Sequence, residues 1–333
     1  MLTISLSVIG GIIGLVLVGL LVAWRFSHSV AAKAAAAIPP KGHFTEVEGG
    51  RLHWIEKGEG RPVVMIHGLA GNLHNFSYAM VDRLAEAGYR AIAIDRPGCG
   101  WSERYSDEQA RIPEQARMIA EMLAKEGIEK PLLVGHSLGG AVSLALALNH
   151  ADQVGGLALV SALITAPETP SEAFSGINVA NPGMRRFIAE TLAVPMSIRS
   201  GAKTLAIVFG PDAAPEDFRF KGGGLLSLRP NAFYAAATDM HAVGIDMGSI
   251  TARLSEIDLP VGLFYGMDDR ILSASEQIEA LTAALPDADV ETMEARGHRP
   301  PVIGPERSPG FTHRMAGQAA HGRRSRWAAA GPA

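Results

Sequence analysis

The sequence predicts an α/β fold in which a mostly parallel sheet carries helices on both faces. Apolar strand-like runs alternate with helix-forming stretches, and one run passes through a glycine-rich turn directly into a helix. The chain has 333 residues, 47% of them hydrophobic, which suits one large domain with an insertion. The predicted strands are residues 62–66, 91–95, 131–134, 156–163, 261–265 and 290–295. The predicted helices are residues 76–87, 107–126 and 139–151.

Two further segments complete this organisation. Residues 44–57 alternate between apolar and polar side chains and contain Gly49-Gly50, which predicts an antiparallel hairpin at the edge of the sheet. Between residues 165 and 255 the strand signal fades and the sequence is mostly helix-like. We therefore expect a helical insertion between two strands of the sheet.

Ser137 stands in the segment Gly135-His-Ser-Leu-Gly139, between the apolar run 131–134 and a helix-forming stretch. A serine at a sharp strand-to-helix turn has strained backbone angles and needs glycines beside it for clearance. Gly135, Gly139 and Gly140 supply that clearance. The arrangement predicts a nucleophilic hydroxyl at the carboxyl edge of a parallel sheet.

Three other motifs follow predicted strands. His67-Gly68 opens a glycine-rich turn, where backbone N–H groups can point at an anion. Asp268 and Asp269 follow the strand 261–265, and His298 follows the last strand in Gly-His. The order along the chain is serine, acid, histidine.

Together these motifs resemble the α/β-hydrolase family over Gly42 to Glu306. The resemblance implies a core made of residues 42–164 and 256–306, with residues 165–255 forming a helical cap inserted before the acid-bearing strand. It also implies a catalytic triad and an oxyanion hole of two backbone N–H groups. The triad residues would be Ser137, Asp269 and His298, and the N–H groups those of Leu69 and Leu138. The family spacing Gly-x-x-Asp favours Asp269 over Asp268 as the acid.

Serine chemistry explains why these residue types are needed. A neutral hydroxyl is a poor nucleophile, so an imidazole must take its proton and a carboxylate must orient the imidazole. Because relatives that open epoxides or displace halide carry aspartate at the elbow, Ser137 favours carboxylic ester hydrolysis. Carbon–carbon bond hydrolysis and a haloperoxidase-like activity are alternatives, and so is a non-catalytic scaffold that binds a ligand at the membrane.

Composition and motifs limit the classes of partner and cofactor that we expect. The net charge of −4 predicts no nucleic-acid binding, and neither a metal-ligand cluster nor a phosphate-cradling motif appears, so we expect no cofactor. The expected partners are a small-molecule ester and a membrane, and the sequence leaves the oligomeric state open. Cys99 is the only cysteine and is interpreted as a small loop residue. His67 and His136 are interpreted as structural, and Asp95 as the anchor of a loop through a salt bridge.

The amino terminus predicts a membrane anchor at residues 1–25, followed by a linker at 26–41. No charged side chain occurs from Leu2 to Trp24, and about 20 apolar helical residues suffice to cross a hydrocarbon core. A cleaved signal peptide is the alternative, and it would export the protein. Because Lys and Arg occur only after the span, we expect the catalytic domain to face the cytoplasm.

The carboxyl terminus departs from the family pattern. Residues 307–333 are rich in Arg, Gly and Ala, and Phe311, Met315 and Trp327 are their only large apolar side chains. This composition lacks an apolar stripe of ordinary width. We expect residues 307–333 to be disordered instead of forming the helix that the family packs against its sheet.

Overall fold

One sheet organises the chain. The computed structural model describes residues 2–167, 171–303 and 307–320, and within them nine strands form a single sheet. The strands are β1 His43–Val47, β2 Gly50–Lys57, β3 Arg61–Ile66, β4 Tyr89–Ile94, β5 Glu103–Arg104, β6 Leu132–His136, β7 Gly156–Val160, β8 Val261–Gly266 and β9 Asp289–Met293. Their order is β1-β2-β4-β3-β6-β7-β8-β9, with β5 paired to β2.

The strand pairing confirms the predicted sheet. The pairs from β4 through β3, β6, β7 and β8 to β9 are parallel, whereas β1, β2 and β5 form the antiparallel edge. β6 and β7 are buried along their whole length, which explains their unbroken apolar sequence. The predicted hairpin is β1 and β2, paired in register from His43–Trp54 to Val47–Gly50.

The helices of the chain cover both faces of this sheet and also form the amino-terminal segment and the insertion between β7 and β8. Among the described residues they are α1 Leu2–Ala37, α2 His74–Ser77, α3 Met80–Glu86, α4 Ile112–Lys125, α5 Leu138–Asn149, α6 Pro182–Thr191, α7 Ala193–Phe209, α8 Phe218–Lys221, α9 Pro230–Ala252, α10 Ala274–Ala284, α11 Pro300–Ile303 and α12 Arg307–Ala320. Along β3, Val64 and Ile66 face the core with α4 and α5, while Val63 and Met65 face the core with α3 and α12. This two-residue alternation divides the apolar interior into two layers.

The insertion between β7 and β8 is helical, as predicted. It holds α6 to α9 and three short 3-10 turns, at Glu172–Ile177, Gly224–Leu228 and Leu254–Glu256. The longest of its helices, α9, packs on α4 and α5. The insertion is therefore a cap joined to one face of the core.

The prediction of a linker at residues 26–41 is wrong over most of its length. Helix α1 runs without a break through Ala37, because alanine is the best helix former and proline first appears at Pro39. Ser27 and Ala34 are buried, and the Ser27 hydroxyl donates a hydrogen bond to the Thr191 carbonyl of the cap (3.0 Å). The part of α1 from Val8 to Ala37 is long and apolar enough to cross a membrane.

The prediction of a disordered tail is wrong for residues 307–320, which form α12; residues 321–333 lie outside the described part of the chain. Phe311 stacks on Phe264 of β8, with ring centroids 5.5 Å apart. A Cβ atom on Gly262 of β8 would lie 2.4 Å from the Met315 sulfur. Because Gly262 has no side chain, α12 can approach β8 closely. Two large side chains, Phe311 and Met315, are then sufficient to form the apolar stripe that packs on the sheet.

Two substitutions in α12 test this packing. Phe311→Ala removes a buried ring and should lower the free energy of unfolding by about 3–5 kcal/mol. Gly310→Ala, on the exposed face where an added Cβ meets nothing within 4 Å, should raise it by about 0.5–1 kcal/mol. Urea unfolding in detergent measures both. Equal stability of Phe311→Ala and the unaltered chain would show that α12 is not packed on the sheet.

Candidate active site

Ser137 occupies the turn between β6 and α5 in a strained conformation. Its φ is 53° and its ψ is −122°, values that side-chain-bearing residues adopt at a cost. The Ser137 carbonyl accepts hydrogen bonds from the N–H groups of Gly140 (2.8 Å) and Leu163 (2.9 Å), which hold the turn. A Cβ atom on Gly139 would lie 2.0 Å from the Ile66 carbonyl oxygen at the end of β3. Glycine is therefore required here, as the sequence predicts.

His298 and Asp269 form a buried hydrogen-bonded pair. His298 Nδ1 lies 2.7 Å from Asp269 Oδ2, and the two side chains are 4% and 0% exposed. The other carboxylate oxygen accepts the N–H groups of Ile271 (2.7 Å) and Leu272 (3.1 Å). These bonds hold Asp269 as an acceptor, so Nδ1 carries the imidazole proton and Nε2 is left to accept one. Asp268 is exposed, and the carboxylate that His298 binds is that of Asp269.

The residue before Ser137 ties the histidine loop to the elbow. His136 Nε2–H donates a hydrogen bond to the His298 carbonyl (2.8 Å), and the two imidazole centroids lie 5.0 Å apart. Burial, followed by the charge of His298, holds the pKa of His136 well below its ordinary value. His136 is therefore a neutral donor with a structural role, as expected.

The turn after β3 lies against the elbow, and hydrogen bonds fix the orientation of its Gly68–Leu69 peptide. The Gly68 carbonyl accepts hydrogen bonds from Arg96 Nη2 (3.1 Å), His67 Nδ1 (2.8 Å) and the Gly71 N–H (3.2 Å). In a trans peptide the N–H of the next residue points the opposite way, so the Leu69 N–H points away from Arg96. Gly68 itself abuts the elbow, since a Cβ atom there would lie 2.8 Å from Ser137 Cβ.

The second donor expected from the sequence is Leu138, the first residue of α5. The first N–H groups of a helix have no partner inside the helix and are open to an anion. In residues 2–167, 171–303 and 307–320, neither the Leu69 nor the Leu138 N–H donates a backbone hydrogen bond. Leu69 and Leu138 line the same cavity as Ser137.

Sequence reasoning missed Arg96 as part of this site. Its guanidinium is fully buried and binds the His67 carbonyl (Nε, 2.9 Å) and Asp239 Oδ2 of α9 (Nη1, 2.7 Å). Asp239 also accepts a hydrogen bond from Arg104 (2.5 Å). The neighbouring Asp95 anchors its loop as expected, but the side chain that it contacts is the His53 imidazole (Nδ1 to Oδ2, 2.7 Å) instead of Arg96. Arg96 therefore links the turn that bears Leu69 to the cap.

A cavity of about 240 Å³ lies between the core and the cap at this point. Its lining within the described chain includes no Asp, Glu, Lys or Arg, and most of its surface is apolar. Core and cap both contribute to it, through Leu69, Ser137, Leu138, Phe174, Met240 and Ile271. Across the described ranges no group of His, Cys, Asp and Glu side chains is arranged to hold a metal ion. The site suits an uncharged, largely apolar molecule.

Comparison with known proteins agrees with this fold. A family model for the alpha/beta hydrolase fold matches residues 61–305. The chain belongs to the α/β-hydrolase family. This α/β hydrolase is 31% identical over 268 residues to the 2-hydroxy-6-oxononadienedioate/2-hydroxy-6-oxononatrienedioate hydrolase of Paraburkholderia phymatum, covering 76% of this chain and 87% of the relative.

Solved structures share the fold of this α/β hydrolase. The crystal structure of a membrane phospholipase A, described as a bacterial virulence factor, has a TM-score of 0.66 and 24% identity, covering 96% of this chain and 99% of that one. An esterase from Exiguobacterium antarcticum has a TM-score of 0.64 and 22% identity, covering 84% and 100%. At these identities the likeness establishes the fold.

Breaking the buried ion pair should destabilise this α/β hydrolase. Asp239→Ala leaves Arg96 as an uncompensated buried charge, which should lower the free energy of unfolding by about 3–5 kcal/mol. Asp82→Ala, which removes the exposed partner of Lys57, is the matched control and should leave the urea midpoint unchanged. If both variants unfold at the midpoint of the unaltered protein, the Arg96–Asp239 contact does not hold the cap to the core.

Acidification should weaken the fold through His67. Burial, together with the Arg96 charge, lowers the pKa of His67 to about 3 from an ordinary 6.5. Between these values the unfolded chain binds a proton that the folded chain does not, so stability falls as the pH falls through this window. From pH 7 to pH 5 the loss should be about 2 kcal/mol larger than in His67→Gln, measured by urea unfolding. Equal losses in the two proteins would contradict this assignment.

Proposed function

We propose that this protein is a serine hydrolase that cleaves carboxylic esters with a triad of Ser137, His298 and Asp269. The observation that carries the proposal is the buried His298–Asp269 hydrogen bond (2.7 Å), in a loop tied to the residue before Ser137. This bond fixes the tautomer in which imidazole Nε2 accepts a proton. A serine hydroxyl at a nucleophile elbow needs such a base to take its proton.

The proposed reaction has two halves. Ser137 Oγ attacks the ester carbonyl carbon while His298 Nε2 takes the hydroxyl proton, and the N–H groups of Leu69 and Leu138 stabilise the oxyanion. His298 then gives the proton to the leaving alcohol, which departs and leaves an acyl-enzyme. Water, deprotonated by His298, attacks that intermediate and releases the acid. Asp269 stays ionised throughout and stabilises the imidazolium.

The largely apolar cavity favours an ester over the substrate that the Paraburkholderia relative is named for. That name describes a dioate, a molecule with two carboxylates, and burying a carboxylate without a charged partner is costly. The cavity lining includes no Lys or Arg in the described chain. Carbon–carbon bond hydrolysis remains the alternative function. It is supported by the Paraburkholderia hydrolase, which this chain matches over 87% of that relative's length.

We also propose that α1 anchors the protein in a membrane with the catalytic domain on the cytoplasmic side. Arg25 and Lys33 follow the apolar span and no charge precedes it. Retention of α1 is favoured over cleavage as a signal peptide because the helix is docked on the cap. Cleavage within residues 31–37 would remove the Ser27–Thr191 hydrogen bond and the contact between His28 and Glu190.

Substitution of the nucleophile should abolish ester hydrolysis. Ser137→Ala should lower kcat on p-nitrophenyl esters by at least about 10⁴-fold, and Asp269→Asn by about 10⁴-fold because the imidazole takes the wrong tautomer. Asp268→Asn is the matched control and should keep the activity of the unaltered protein. The measurement is the steady-state kcat on p-nitrophenyl esters for the three variants and the unaltered protein. A comparable loss of kcat in Asp268→Asn, or retained activity in Ser137→Ala, would contradict the proposed triad.

The substrate class is tested by comparing the hydrolysis of an ester with the hydrolysis of a carbon–carbon bond. We expect p-nitrophenyl esters of neutral acyl chains to be hydrolysed, and a 2-hydroxy-6-oxo-dienedioate to be turned over far more slowly, because no Lys or Arg of the described chain lines the cavity. The ratio of the two kcat/KM values measures this preference. A ratio in favour of the dienedioate would establish carbon–carbon bond hydrolysis instead.

A further inference from the structure

Exposed apolar side chains concentrate where α6 meets α7. In the described chain, ten large apolar side chains outside α1 are exposed, and five of them lie between Met184 and Ile198. The two helices meet at 77° around Leu192. Phe187, Leu192 and Met196 lie within about one and a half helical turns of this junction and are 42%, 39% and 52% exposed. We call these three residues the cap corner.

The cap corner lies at the end of the apolar span. The uncharged segment of α1 ends at Trp24, and Ser27 binds the Thr191 carbonyl (3.0 Å), one residue before Leu192. His28 Nε2, the next residue along α1, lies 2.8 Å from a carboxylate oxygen of Glu190. Three residues of helix rise only about 4.5 Å along the axis. A span that ends at Trp24 therefore places the cap corner at the depth of the lipid headgroups.

Basic side chains surround the cap corner. Arg25 of α1 and Arg199 of α7 are exposed, and the Arg186 side chain of α6 is 57% exposed. Apolar side chains flanked by arginines are typical of helices that lie in a membrane interface, where the apolar part reaches the acyl chains and the cations meet anionic headgroups. Trp24, 41% exposed, is a residue type enriched at the same depth.

We infer that the cap corner is inserted into the interface of a lipid bilayer, so that Phe187, Leu192 and Met196 contact acyl chains. The inference rests on the proposed anchoring by α1, and it goes beyond it by giving the cap a second attachment. A helix that crosses the bilayer fixes depth but leaves the domain free to tilt. A second contact at α6 and α7 holds the cap, which lines the cavity with Phe174 and Met240, against the membrane surface.

The test measures the depth of one residue in the full-length protein. Leu192→Cys carries a nitrobenzoxadiazole fluorophore, and the protein is reconstituted into vesicles of phosphatidylcholine and phosphatidylglycerol. Burial raises the pKa of the Cys99 thiol to about 12, so this native cysteine does not react at neutral pH. Glu279→Cys, at an exposed position on α10, carries the same fluorophore as the matched control.

We expect blue-shifted emission at position 192, and loss of that emission when phospholipids with a nitroxide high on the acyl chain are included. Position 279 should emit as it does in water and stay unquenched. Water-like, unquenched emission at 192 would overturn the inference. A blue shift that lipid nitroxides do not quench and that grows with protein density would overturn it in favour of a second copy of the chain.

Failure of the enzymatic proposal is distinguishable from failure of this one. The fluorescence measurement needs no turnover and is repeated in Ser137→Ala, where the same result is expected. Failure of the anchor itself appears as protein that does not float with the vesicles, and this outcome also overturns the inference. Met196→Cys, at the other side of the junction, provides a second labelled position with the same expected quenching.

Discussion

The site depends on the close approach of the turn at Ser137 to the end of β3. A strained serine backbone is tolerated only where the surrounding structure fixes it, and here the hydrogen bonds to Gly140 and Leu163 do so. Gly139 passes so close to the Ile66 carbonyl that no side chain fits. This contact holds Leu138 beside the turn that bears Leu69. Any residue larger than glycine at position 139 would force the elbow away from that turn.

The same turn depends on the cap through Arg96. Its guanidinium holds the His67 and Gly68 carbonyls, while Asp239 of α9 neutralises it. Because a buried cation is tolerated only with its partner in place, movement of α9 away from the core disturbs the turn as well as the cavity wall. The cap is therefore part of the machinery that positions the site, in addition to covering it.

The sequence predicts the sheet and the elbow well because both have local signatures. Buried parallel strands are continuous apolar runs, and a strand-turn-helix with flanking glycines identifies Ser137. Long-range contacts have no such signature. Arg96 and Asp239 are 143 residues apart. Helix α12 was missed for a similar reason, since its narrow stripe is sufficient only against Gly262, a residue of β8. The sequence predicts a linker at the end of α1 because the residue that this part of the helix binds, Thr191, lies on the cap.

The most direct test of the account is the position of a covalent adduct. Incubation of the folded, full-length protein with a fluorophosphonate, followed by proteolysis and mass spectrometry, identifies the residue that attacks phosphorus. The account predicts one adduct per chain, on Ser137, and slower labelling in Asp269→Asn because the imidazole is no longer held to accept the proton. An adduct on another residue, or none on folded protein, would contradict it.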